Sequence, residues 1–201
     1  MTRQNMKRIP SSLLALMFIL AAVATAGAQT GQAGKFSNIK IKNFGQMDER
    51  FYRGAQPDPD DYKALAAIGV QTIIDLRNDP EDYAKGAAEA AGLKYVNIPM
   101  SDKKRPQDDQ IEKFLSLIND PSTGVFYAHC AGGRHRTGVI GAMYRYNHDH
   151  WNYEQVYKEM KQYDYYSRWG HGALGDYVKE YYNHLQTKSI EATSGESSSN
   201  K

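Results

Sequence analysis

One short segment gathers the groups that chemistry needs: His-Cys-Ala-Gly-Gly-Arg-His-Arg-Thr-Gly, residues 129–138, with the only Cys of the chain, Cys130. Apolar residues 125–128 read as a strand entering it, and a helix is expected from Thr137. A loop between a strand end and a helix start is suited to a tetrahedral oxyanion. The amides of Ala131, Gly132, Gly133, Arg134, His135 and Arg136 can all point inward, and the helix N-terminus adds partial positive charge. Gly132 and Gly133 are expected to supply torsions that a side chain resists. The same field favours thiolate over thiol, which makes Cys130 a nucleophile at neutral pH. Arg136 offers a planar fork for two phosphate oxygens, a geometry Lys does not match. Thr137 brings a hydroxyl to the thiolate or to the departing sulfur. His129 is expected to orient the nucleophile without acting as a base, since a thiolate needs none.

The pattern His-Cys-x5-Arg-Thr-Gly resembles the signature of the cysteine-dependent tyrosine and dual-specificity phosphatases at every signature position. Such agreement around one Cys has a chance on the order of one in a million from average composition, so an inert buried thiol is set aside. Phe-Tyr-Arg-Gly-Ala-Gln-Pro (51–57), Ile-Ile-Asp-Leu-Arg (73–77) and Ile-Pro-Met-Ser-Asp (98–102) are similar to the smaller dual-specificity branch. Gly-Arg-His-Arg-Thr-Gly is close to the Gly-Lys-His-Arg-Thr-Gly of the atypical plant and fungal phosphatases, some of which act on inositol pyrophosphates. The resemblance implies a protein-tyrosine-phosphatase-like fold, no cofactor or metal, and a separate loop carrying an Asp. That Asp protonates the leaving group and then activates water.

Asp102, just past the strand expected at 95–98, is the candidate for this acid; Asp79, Asp108 and Asp109 compete with it. Lys103, Lys104 and Arg105, with Arg134 and His135, are positioned to ring the pocket with positive charge or to form a solvated face. Arg53 and Arg77, at strand ends, are read as loop anchors. In the cluster His148, Asp149, His150, histidines two apart on a helix do not share a face, which argues against a metal site. The tyrosine-rich stretch 144–166 is read as packing rather than a binding platform.

The elements that must position these residues alternate in kind. Ile39, Ile41 and Phe44, then 51–53, suggest two edge strands. Helices are expected at 58–67 and 79–91, the second capped by Asp79 with Pro80 at its first position, and strands at 70–76 and 95–98. Ile111, Phe114, Leu115 and Ile118 fall at helical spacing. Beyond the loop, Val139, Ile140, Met143 and Tyr144 share one helical face, Asn152 caps a further helix, and a last helix spans 173–185. Alternation of this sort predicts an α/β fold with a central, mainly parallel sheet flanked by helices on both faces.

At the scale of the chain, 201 residues suit one domain, expected at 36–186. Arg3, Lys7 and Arg8, an apolar run from Leu13 to about Ala24, and Ala26-Gly27-Ala28 have the build of a signal peptide over 1–28, which implies export and no membrane insertion after cleavage. Residues 29–35 read as a flexible leader and 187–201 as a disordered tail. Removing three of the 25 Lys and Arg with the leader leaves 22 against 23 Asp and Glu, a balance that gives no case for general nucleic-acid binding. The expected partner is a phosphorylated protein or a polyphosphorylated small molecule. Two other classes share a loop anion site: a non-catalytic phospholigand-binding module and a rhodanese-like sulfurtransferase. Retention of both Cys130 and Arg136 opposes the first, and the Arg-Thr-Gly ending opposes the second.

Overall fold

The structure is a computed structural model that describes residues 36–198, with side chains through 191. The expected signal peptide, the leader 29–35 and the final residues 199–201 lie outside the described residues. The elements of the described residues all fall in one unit, Asn38–Lys201. Its strands are β1 (Gly45–Gln46), β2 (Phe51–Gly54), β3 (Thr72–Arg77), β4 (Lys94–Met100) and β5 (Phe126–His129). The helices are α1 (Asp61–Ala67), α2 (Ala84–Ala90), α3 (Asp108–Asn119), α4 (His135–Asn147), α5 (Tyr153–Gln162) and α6 (Gly172–Ser198).

The five strands form one sheet in the order β1-β2-β5-β3-β4. Only β1 is antiparallel; β2, β5, β3 and β4 run parallel, as strand-helix alternation requires. Every residue of β3 is buried, the mark of a central strand covered on both faces. Ile74 and Leu76 point into the larger core with Ile98, Phe114, Phe126, Val139 and Val156. The opposite face is covered by α1 and α2, whose buried side chains include Tyr62, Leu65, Ala84 and Ala88. The α/β architecture expected from the pattern is the one observed.

Four details differ. Residues 39–44 form no strand; a turn at Lys42 and Asn43, where Asn43 takes a left-handed φ of 54°, interrupts the extended spacing. β2 is internal, paired to β1 on one side and β5 on the other. The helix expected from Pro80 begins only at Ala84, because Asp79 faces Arg77 Nε at 3.5 Å instead of capping. The last helix continues past Leu185 to Ser198, so the tail expected to be disordered from Thr187 is helical that far. A helix satisfies its backbone through local i→i−4 bonds, and the weak apolar content that suggested disorder does not forbid it. By contrast, Asn152 caps α5 as expected: its Oδ1 accepts from Gln155 N at 3.0 Å, and Gln155 Oε1 accepts from Asn152 N at 3.0 Å.

α4, expected to have one apolar face, is buried around nearly its whole circumference from His135 to Tyr146. It packs against α3, α5 and α6 and follows directly from β5. A helix enclosed in this way fixes the direction of its N-terminus, and the anion loop sits there.

Candidate active site

Cys130 follows the last residue of β5, and α4 starts at His135, so residues 130–134 span from the sheet to the helix. Three successive carbonyls of this span are held from outside. Gln56 N donates to Ala131 O at 3.3 Å, Asn43 Nδ2 to Gly132 O at 3.0 Å, and Arg53 NH2 to Gly133 O at 2.9 Å. Peptide units whose oxygens are tied outward direct their N–H groups the other way, toward the sulfur. Of the two glycines, only Gly133 has a positive φ, 65°. A Cβ there would lie 2.5 Å from the carbonyl carbon of Gly54, so backbone shape and close approach to β2 both demand glycine. Gly132 is not constrained in this way, which corrects the expectation that both were needed for torsion.

Cys130 is 3% exposed. Burial by itself pushes its thiol up, but the Thr137 hydroxyl, the Arg136 guanidinium and the backbone N–H groups of Thr137 and Arg134 outweigh it and hold the thiol below its ordinary value. The Thr137 hydroxyl is buried and has no other hydrogen-bond partner among the described residues. Arg136 is held by Asn78 Oδ1 at 3.0 Å and Met100 O at 3.2 Å through one terminal nitrogen, while its buried Nε has no partner there. The fork is thus oriented at one end and open at the other.

Cys130, Ala131, Gly132, Arg134, His135 and Arg136 line one cavity of about 200 Å³, and Asp102 lines it too. The loop that carries Asp102 therefore reaches the cavity of the nucleophile. The competing acids fare differently. Asp79 is 70% exposed, 4.0 Å from Arg136, and its carboxyl is held below the usual range by its hydrogen bond with Arg77, which disfavours the protonated form. Asp108 and Asp109 sit in the first turn of α3, exposed and away from the lining.

Charge around the cavity departs from the expected ring. Arg105 turns away: it pairs with Glu180 on α6 and lies over the Tyr177 ring at 4.8 Å. His135 is pushed down to about 4 by burial, with His171 and Arg134 adding to the shift, so it is neutral at pH 7. Lys103 and Lys104 remain exposed beside Asp102. His129 is fully buried and likewise pushed down to about 4 by burial, so it is a neutral packing residue beneath the loop, its ring 5.7 Å from that of Tyr127. Arg77 does anchor loops, bonding Gln56 Oε1 at 3.2 Å and Glu81 Oε1 at 2.6 Å.

Sequence reasoning missed Tyr166 and His171, which complete the cavity wall from the segment between α5 and α6. Most of the tyrosine stretch does pack the core, as Tyr144 and Tyr165 do, but Tyr166 belongs to the site. Asn43 and Gln56 were also missed. Gln56 lies inside the Phe-Tyr-Arg-Gly-Ala-Gln-Pro segment already singled out; Asn43 carries no local signal beyond its tolerance of left-handed backbone. At His148, Nδ1 lies 2.9 Å from Asp149, which also accepts from Arg145 at 2.5 Å, and Asp48 brings a further carboxylate oxygen within 4.8 Å of both groups.

A cysteine on an anion loop, beside an arginine fork and in one cavity with a carboxylate from a second loop, is the arrangement of the cysteine-dependent phosphatases. The family model described as "DSP-PTPase phosphatase fused to NAD+ Kinase" matches residues 32–173, and the chain belongs to this dual-specificity and tyrosine phosphatase family. A "Probable tyrosine-protein phosphatase DG1060" of Dictyostelium discoideum is 25% identical over 132 residues, 63% of this chain and 78% of that protein. The "Inositol diphosphatase DSP1" of Oryza sativa is 26% identical over 119 residues, 55% of this chain and 53% of that protein. Among solved structures, the core catalytic domain of the PP-IP phosphatase SIW14 from S. cerevisiae shares the fold. Its TM-score is 0.62 at 18% identity, covering 77% of this chain and 94% of that one.

Proposed function

We propose that Cys130, Arg136, Thr137 and Asp102 carry a two-step hydrolysis of a phosphate ester. The Cys130 thiolate attacks phosphorus while the bond from phosphorus to the ester oxygen breaks, and Asp102 passes its proton to that oxygen. The amides of the loop and the Arg136 fork hold the three equatorial oxygens throughout. In the second step the Asp102 carboxylate takes a proton from water as the water attacks phosphorus. The sulfur leaves as a thiolate stabilised by the Thr137 hydroxyl, and inorganic phosphate is released. The observation that carries the reading is a thiol held below its ordinary value in the same cavity as a carboxylate from a second loop.

For the substrate, the exposed cations Lys103 and Lys104 on the acid loop and the partly exposed Arg134 favour a compact polyanion of the inositol polyphosphate class. Tyr166 beside the cavity supports phosphotyrosine in protein as the second reading, since an aryl ring packs on it. Turnover of an inositol polyphosphate is expected to exceed that of a phosphotyrosine peptide, and the reverse order favours the second reading. Cys130→Ser is expected to abolish phosphate release from both. Full release by that variant sinks the mechanism, and tight ligand binding without hydrolysis by the wild type favours a binding module. Export through residues 1–28 belongs to the same proposal: cell fractionation with N-terminal sequencing should find the mature chain outside the cytoplasm, starting at Gln29. Full-length chain in the cytoplasm overturns it.

A further inference from the structure

The segment between α5 and α6 reaches back to the loop that carries Asp102, and the contact is made by His171. Its ring Nδ1 lies 2.6 Å from the backbone oxygen of Asp102. A carbonyl only accepts, so Nδ1 carries the proton and donates. The same ring lies flat on His135 at the start of α4, with centroids 3.6 Å apart and planes within 8°. One side chain thus touches both halves of the site, the acid loop by a hydrogen bond and the anion loop by a stack.

The histidine itself is firmly held. It is 8% exposed, and its backbone oxygen accepts from the Tyr165 hydroxyl at 3.2 Å. The Tyr166 ring stands edge-on to both imidazoles, 4.4 Å from His135 and 5.5 Å from His171. Next to it, Gly170 lies close enough to the acid loop that a Cβ there would come within 3.6 Å of the Lys103 side chain. On the other side of Asp102, Arg136 donates to Met100 O at 3.2 Å. The carbonyls at 100 and 102 are therefore pinned from the anion-loop side and from the α5–α6 segment respectively. Within the loop, the N–H groups of Lys103 and Lys104 donate to Ser101 Oγ at 3.2 and 3.1 Å.

We propose that His171 is a positioning residue: it sets the acid loop relative to Cys130 by tying the Asp102 backbone to the His135 ring. This rests on the reading of Asp102 as the proton donor. A misplaced donor is expected to slow protonation without weakening the grip on phosphate, because the anion loop has its own anchors.

The test compares phenyl phosphate, whose leaving group needs the proton, with p-nitrophenyl phosphate, whose leaving group needs it much less. The readout is the ratio of kcat/KM on the two substrates, which reports the leaving-group step and not the shared hydrolysis of the cysteinyl phosphate, with folding checked by thermal melting. Asp102→Asn is expected to lower kcat/KM on phenyl phosphate about 100-fold or more and on p-nitrophenyl phosphate far less. His171→Phe keeps a ring and loses the donor; a preferential loss on phenyl phosphate of about tenfold or more is expected, with inhibition by inorganic phosphate unchanged. His171→Asn retains a donor nitrogen near the Nδ1 position and should recover part of that loss. In an Asp102→Asn background, His171→Phe should change the ratio no further. If the phenylalanine variant does not fold, His171→Ala is read by the same ratio. An unchanged ratio in the His171 variants, or an additional full-sized effect in the double variant, overturns the inference. An unchanged ratio in Asp102→Asn overturns the proton-donor reading itself, so the two failures are separable.

Discussion

Thr137 and Arg53 illustrate how single side chains set the reactivity of one sulfur from beneath the loop. The Thr137 hydroxyl favours the Cys130 thiolate, so Thr137→Val should raise the thiol pKa. A hydrogen bond to a charged group is worth roughly 1.5–3 kcal/mol, which corresponds to about one pH unit or more. The acid limb of kcat/KM, and the midpoint of Cys130 alkylation by iodoacetate, should both move to higher pH; an unmoved midpoint contradicts the assignment. Arg53 is 1% exposed, stacks over Tyr163 at 4.0 Å, and has no ion-pair partner among the described residues. Its Nε is also unsatisfied, and burial pushes its pKa down. A buried guanidinium held this way contributes little stability, so its place is explained by the bond to Gly133 O and by its charge near Cys130. Arg53→Met is expected to lower kcat/KM about tenfold or more while stability in urea falls by no more than about 1 kcal/mol. Large destabilisation with intact activity would reverse that account.

Among the elements, α4 carries the site at its first turn and a buried charge network at its last. Arg145 bonds Glu159 on α5 through two nitrogens, at 3.1 and 2.6 Å, donates to Met47 O at 2.9 Å, and lies over Trp151 at 4.2 Å. Asp149 pairs with the same guanidinium at 2.5 Å, so removing Arg145 leaves two carboxylates without their partner, and Arg145→Ala should destabilise by about 3 kcal/mol in urea unfolding, with KM little changed. A loss below about 1 kcal/mol would show the network to be well solvated. Elements of this protein were legible where period and punctuation agreed. β3 carried Ile73, Ile74 and Leu76 in one short stretch, and Asn152 announced α5. They were illegible where a tertiary demand overrode a local signal. Asp79 and Pro80 formed a good helix start, yet Asp79 is taken by Arg77 and lies beside Arg136; Ile39 and Ile41 had strand spacing, yet Asn43 turns the chain to reach Gly132. In the site, the local motif disclosed Cys130, Arg136 and Thr137. Tyr166 and His171 arrive from a distant segment with no motif, so only the fold brings them into view.

For the molecule as a whole, two buried histidines link stability to acid. His129 and His135 both titrate near 4 in the fold against an ordinary value of 6.5. Between those values the unfolded chain binds more protons than the folded one, so stability is full above about pH 6.5 and declines as pH falls toward 4. Each histidine contributes at most about 1.4 kcal/mol per pH unit across that window. Urea midpoints measured from pH 7 to 4.5 should fall, and His135→Asn should flatten the slope; a flat wild-type profile would contradict the burial of both rings as neutral groups. The three carbonyl tethers on the anion loop have a different sort of consequence. They grip Ala131, Gly132 and Gly133 by main-chain oxygens alone, so the catalyst is shaped by atoms that every residue possesses. Identity is dictated at Gly133, where a Cβ would strike β2, while a Cβ at Gly132 would meet nothing closer than the Arg134 side chain at 3.8 Å. Substrate preference in this enzyme is thereby separable from its chemistry, and a new phosphate ester can be accommodated by changing the rim.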